Sequence, residues 1–162
     1  MYVKNKSLLR PIIFGGGQEY NLRSGTENLP GIMAMVTECE KIDVAKNLKH
    51  VKELRDVFLN QLDLNKVHFI SSGSPYVISL NFPGVNGETL MRALEDKVII
   101  GTGSACSTKK AGNRVLEAMG YSKEYAKQSV RVSFNAYQSV EEVEKAGKII
   151  METYLDLYER LK

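Results

Sequence analysis

Tryptophan is absent from this 162-residue chain, cysteine and histidine occur twice each, and proline occurs four times. Without paired spacings such as C-x-x-C or H-x-x-x-H, those few cysteines and histidines give no reason to expect a zinc site. Cys39 and Cys106 stand far apart and form no disulfide framework, so reduced thiols are expected. No apolar run exceeds a few residues, too short to cross a membrane. The start, "MYVKNKSLLRP", lacks the apolar centre and cleavage site of a secretory signal. Charge of one sign is missing too. The 22 basic and 19 acidic residues are interspersed and leave a net charge of +3, without the basic patch a nucleic-acid binder needs. These absences point to a cytoplasmic protein with neither membrane nor direct nucleic-acid partner.

What is present is ordinary globular material. Hydrophobic residues make up 43% and charged residues 25%, a balance that excludes disorder and suits one domain, or one and a fraction. Residues 1–14 hold two short apolar pieces, "MYV" and "PIIF", that read as strands or as the cut end of a sheet. "GGGQEYNLRSGTEN" follows without apolar period and reads as a long loop. From Pro30 to about Leu62, apolar residues recur at helical steps, among them Ile32, Met35, Val36, Cys39, Leu48, Val51, Leu54 and Phe58. So long a period predicts a bend, placed near Asp43 where the stripe thins. Cys39 on that stripe is expected to be a buried core thiol.

"KVHFIS", "YVISLNF", "VII" and "SVRVSFN" read as strands. "ETLMRALEDK", "GNRVLEAMG" and the stretch after Ser139 read as helices, the last opened by a Ser139–Glu142 capping box. Strands and helices interleave as ββ-α-β-α-β-α after one long helix. The expected fold class is α/β, a two-layer sandwich with helices on a small sheet.

Three places invite chemistry. Cys106 follows Gly101, Gly103, Ser104 and Ala105, small residues that allow close approach, and precedes Lys109 and Lys110, which favour a thiolate. The pattern alone leaves a reactive loop cysteine and an incidental one both open. Gly112 stands where a cysteine phosphatase would carry arginine, and neither His50 nor His68 sits as a papain-like partner would. Arg131 faces away from Val130, Val132 and Phe134. It is either solvated or, if that face is covered, a bidentate clamp for carboxylate or phosphate. "RSGTEN", Arg23 to Asn28, sets hydroxyls and backbone N–H groups before a helix start, a setting that suits a phosphate.

In order, "PIIFGGGQEYNLRSGTENLPGI", "ISLNFPGVNGETLMRAL", "GTGSACST", "RVLEAMG" and "VRVSFNAYQSVEEV" resemble the C-terminal part of the NifS/IscS-type cysteine desulfurases of the class V aminotransferase family. The resemblance implies pyridoxal phosphate fold type I, with residues 1–30 a remnant of the large cofactor-binding domain and 31–162 the small C-terminal domain. By the same resemblance, Cys106 takes sulfur from L-cysteine as a persulfide while alanine leaves, for transfer to a sulfur-acceptor protein in Fe–S cluster or tRNA thiolation pathways. Arg131 binds the substrate carboxylate. Thr26 reaches the phosphate of pyridoxal 5'-phosphate in the partner subunit of a homodimer. The family's cofactor lysine lies upstream of the matching stretches, and no lysine here, Lys49 and Lys109 included, has its context. The chain is therefore expected to be a fragment that binds no cofactor and is inactive alone. Ile32, Met35 and Val36 are expected to be exposed and to drive self-association. A stand-alone sulfur-carrier or docking module and a selenocysteine lyase fragment are the alternatives.

Overall fold

The computed structural model describes residues 4–70, 73–103 and 114–162. Its contacts divide the chain into two compact units, Met1–Asp43 and Val44–Lys162.

The first unit is irregular up to helix α1, Leu29–Lys41. Asn28 caps α1 by accepting the Gly31 N–H at 3.2 Å, and Pro30 sits in the first turn. The helix stops at Ile42, whose backbone is extended, beside Asp43 where the apolar stripe thins. Not one residue of α1 is buried: Leu29, Ile32, Met33, Met35 and Val36 are all exposed. Cys39, expected in a core, is exposed as well. A helical stripe is buried only when another element faces it, and this unit supplies no second helix of comparable length and no sheet among its described residues. Residues 11–14, expected as a strand, are bends and coil, with Ile12 and Phe14 exposed. A strand needs a neighbour to take its backbone groups, and none is there among the described residues. The "MYV" piece lies outside the described residues.

The loop before α1 is closed on itself. Glu19, Tyr20 and Asn21 all hold left-handed backbone, with φ of 49°, 60° and 64°. The Asn21 N–H donates to the Gly17 carbonyl at 3.1 Å, and the Gly25 N–H donates to Gln18 Oε1 at 3.0 Å. Ser24 alone among the unit's described residues is buried, its hydroxyl accepting the Gly17 N–H.

The second unit begins with helix α2, Val44–Leu59, and is built on a four-stranded sheet. Its strands are β1 His68–Ile70, β2 Val77–Asn81, β3 Gly101–Thr102 and β4 Ser129–Ser133, in the order β1-β2-β4-β3 and antiparallel throughout. Alternation sorts the sheet's faces. Ile78, Leu80, Val130 and Val132 point into a core closed by α2, by α3 (Gly87–Leu94) and by α6 (Val140–Arg160). Within it Phe58 meets Phe134 edge-on at 5.5 Å, and Phe82 meets Tyr154 at 5.0 Å. The expected capping box opens α6: Ser139 Oγ accepts the Glu142 N–H at 3.2 Å, and Glu142 Oε2 accepts the Ser139 N–H at 2.8 Å. The layered α/β class is as expected.

Two local readings change. Residues 98–100, expected as a strand, join no ladder among the described residues: the Val98 N–H turns back to the Leu94 carbonyl at 2.8 Å, and Ile99 is 95% exposed. Their β-branched side chains favour extension, but the ladder to β4 holds only the Gly101–Arg131 and Thr102–Val130 pairs. A helix that the periodicity did not show, α5 (Lys123–Lys127), follows α4 (Arg114–Ala118) and is capped by Ser122, which accepts the Tyr125 N–H at 3.1 Å. Leu116 and Ala126 from this pair cover Ile70 on the second face of the sheet. Gly112 and Asn113, which open the expected "GNRVLEAMG" helix, lie outside the described residues. Among the described residues no helix is long and apolar enough to cross a membrane.

Candidate functional site

Arg131 occupies the middle of β4 and projects from the sheet face opposite the main core. The register sets it between Ser79 of β2 and Gly101 of β3. Side chains of directly paired residues share a face, so two small residues flank the guanidinium. Toward the β1 end that face is covered: Asn81 and Ser129 are buried there, and both hydrogen-bond the Tyr125 carbonyl, at 2.7 and 2.8 Å. Arg131 itself is exposed. Arg55 and Arg160 each pair with an aspartate, whereas Arg131 has no acidic partner among the described residues. Its Nη1 donates to the Gly103 carbonyl at 3.5 Å, a long contact that leaves most of the five guanidinium N–H donors available. An exposed, rigidly rooted and uncompensated guanidinium is suited to a carboxylate or phosphate.

Gly103, with φ of 45°, is the last described residue before the stretch that contains Cys106. Cys106 lies outside the described residues, as do Lys109 and Lys110.

Thr26 is exposed in the coil just before α1, after Gly25 at φ 106°. The first turn of α1 has few spare donors. Asn28 takes the Gly31 N–H, Pro30 has none, and the Leu29 N–H donates to the Glu27 carbonyl at 2.8 Å. An anion at this helix start would meet the Thr26 hydroxyl and the dipole's field rather than a row of free N–H groups. Thr26 belongs to the first unit and Arg131 to the second.

Among the described residues no cluster of three or more His, Cys, Asp or Glu could hold a metal ion. A cleft of about 540 Å³, lined by Lys66, His68, Tyr154 and Tyr158 among others, does not include Arg131. In sequence Gly101 and Gly103 are only small residues beside a cysteine; the strand register sets Gly101 opposite Arg131, and a hydrogen bond ties Gly103 to it.

The aminotransferase class-V family model matches residues 2–146, most of the chain. The chain belongs to the class-V aminotransferase family. It is 33% identical over 160 residues to the cysteine desulfurase IscS of Rickettsia akari (strain Hartford), a match that covers 93% of this chain and 39% of that protein. A solved NifS-like protein superposes with a TM-score of 0.75 at 33% identity, over 91% of this chain and 39% of its own. The structure of SspA in complex with cysteine superposes with a TM-score of 0.55 at 25% identity, over 81% of this chain and 37% of its own. The chain thus spans about two-fifths of the length of the curated relatives it matches. Its second unit shares the mixed α/β fold of the NifS-like proteins.

Proposed function

We propose that this class-V chain is the sulfur-accepting part of a pyridoxal phosphate-dependent cysteine desulfurase. Arg131 is the observation that carries the reading, as an exposed guanidinium with no acidic partner among the described residues, on the strand next to β3 and bonded to the glycine that opens "GSACST". Cys106 follows Gly103 by three positions, so the chain tethers the two α-carbons within about 11 Å. The cysteine complex of SspA, a property of that protein, supports a cysteine-sized substrate here.

In this reading Arg131 holds the carboxylate of L-cysteine and fixes its orientation. The Cys106 thiolate forms a bond to the substrate sulfur, the sulfur–carbon bond breaks, and the carbon takes a proton to leave as alanine. Cys106 is left as a persulfide, the sulfur oxidised and the carbon reduced, so no external oxidant is needed. Pyridoxal phosphate, when bound, supplies the electron sink for bond breaking at the substrate. The residues present fit its phosphate end: Thr26 offers a hydroxyl at the positive end of α1, reaching a partner subunit's cofactor in a homodimer. The covalent lysine of the family has no counterpart among this chain's lysines, so the chain alone does not desulfurate cysteine. Residues 1–30 belong with the large domain, and 31–162 form the small one. The setting is cytoplasmic, and the persulfide passes to a protein acceptor serving Fe–S assembly or tRNA thiolation.

Intact mass tests this. The chain is incubated with L-cysteine and pyridoxal phosphate, with and without the complementary large-domain part of a cysteine desulfurase. One extra sulfur atom on Cys106 only when both parts are present supports the reading. Sulfur gained from polysulfide but never from cysteine supports a carrier module instead, and an inert Cys106 overturns both.

A further inference from the structure

We propose that Gly101 is a positioning residue for Arg131: by having no side chain, it lets the guanidinium lie across β3. The inference rests on the reading of Arg131 as the carboxylate clamp. Gly101 is not a glycine its backbone demands, because it lies outside the left-handed region where Gly15, Gly17, Gly25 and Gly103 are found. An ordinary strand position favours a β-branched residue, and glycine there weakens the strand unless another group must come close. The group that comes close is the guanidinium. A Cβ at 101 would stand 3.3 Å from Arg131 Nη2 and 3.6 Å from Nε, nearer than to Cζ at 3.8 Å. It would therefore lie off the Nε/Nη2 edge of the fork rather than above its flat face.

Two features of one stretch of chain thus locate the fork. The Nε/Nη2 edge lies beside the space a Cβ at 101 would take, and Nη1 donates to the Gly103 carbonyl at 3.5 Å. Nη2 and the second N–H of Nη1 stay free for a carboxylate. On the other side Ser79 is small, and its hydroxyl is occupied by the Val130 carbonyl at 3.3 Å, so it does not draw Arg131 away. A Cβ at 101 would push the guanidinium away by a few tenths of an ångström, and the branched side chain of valine would push it further, toward the many rotamers of a solvated arginine. A carboxylate would then have to bear the ordering cost that the native chain has already met, an effect of about three- to tenfold in affinity.

The test follows the Arg131 Nε–Hε resonance in the ¹⁵N-labelled full chain. The probe is S-methyl-L-cysteine at constant ionic strength, with S-methylcysteamine as the control lacking a carboxylate. Gly101→Val is expected to move the Arg131 signal of the free chain toward that of a solvated arginine and to weaken the probe three- to tenfold. Gly101→Ala should do the same to a smaller extent, and it carries the test if the valine variant fails to show the β2 and β4 amide pattern. Unchanged Arg131 signals and equal probe affinity in the folded variants overturn the role of Gly101 and leave the carboxylate reading standing. A native chain that ignores the probe, while the Arg131 signal still moves in the variants, supports the hold of Gly101 on the guanidinium and overturns the carboxylate reading.

Discussion

Replacing Gly147 by alanine sets helix propensity directly against packing. Gly147 lies inside α6 and is buried against the end of α2. Propensity alone favours alanine by about 0.8–1.0 kcal/mol in a helix interior. The new Cβ, however, would stand 2.8 Å from Gln61 Cβ, 3.0 Å from Gln61 Cγ and 3.2 Å from the Phe58 carbonyl. Gln61 Cβ is rooted in the backbone, and the Phe58 carbonyl is already engaged by the Gln61 N–H at 3.0 Å, so neither can swing aside. The helices must separate locally, and overpacking of this kind costs about 1–3 kcal/mol. Packing wins, leaving a net destabilisation of about 1 kcal/mol, or about 0.5 M in the urea midpoint for a slope of about 2 kcal/mol/M. Gln61→Gly in the same chain should recover much of the loss, because it removes the atoms struck, and the double-mutant cycle measures that coupling. The Arg131 Nε signal should not move, since Arg131 projects from the other face of the sheet. A Gly147→Ala chain stabilised by about 1 kcal/mol would refute the reasoning and show that α2 and α6 part freely.

Other outcomes follow from single groups. Ser139→Ala removes the N-cap of α6 and should cost about 1 kcal/mol in urea unfolding. The Glu141 carboxyl is held below its ordinary value of 4.5, first by a backbone N–H and then by the Ser139 side chain. A lowered value contributes stability above pH 4.5 that disappears as the pH falls through the folded-state value, so Glu141→Gln should flatten the acid limb of thermal stability. Burial, and secondarily Tyr158, raise the Tyr154 phenol above its ordinary 10.0. The unfolded chain then loses that proton first, so stability falls as the pH rises past 10, and Tyr154→Phe should flatten the alkaline limb. The same substitution takes a 3.0 Å hydrogen bond from the Pro83 carbonyl and should lower stability at pH 7 by about 1 kcal/mol. Amides of α1, which buries no side chain, should exchange faster than those at the centre of α6, and equal protection would refute the exposure of its apolar face.

Much of the second unit was legible from local chemistry. The alternation in "YVISLNF" and "SVRVSFN" separates core from open face without reference to any other segment, because successive side chains on a strand must point opposite ways. The Ser139–Glu142 pair and the Asn28–Pro30 start are equally local, since a cap satisfies donors within its own turn. Short-range chemistry also marked Arg131 as turned from the core, and the ordered motifs carried the family. Burial was not local. Ile32, Met35 and Val36 are exposed as the resemblance implied, but Cys39 on the same stripe, expected in a core, is exposed as well. Period describes a face, and only a second element can cover it. The strand expected at residues 98–100 misled for a related reason: β-branched residues extend the chain, but pairing with β4 starts only at Gly101.

By itself, then, the sequence determined most element types, the Ser139–Glu142 cap, the side of β4 on which Arg131 stands and the family to which the chain belongs, because each follows from neighbours in the chain or from motifs in order. Tertiary structure decided which apolar stripes found partners, where β3 began, and that Gly101 and Gly103 would be the residues against which Arg131 rests. Those outcomes depend on register between strands that are distant in sequence, and register is set by how side chains pack across the sheet rather than by any one strand.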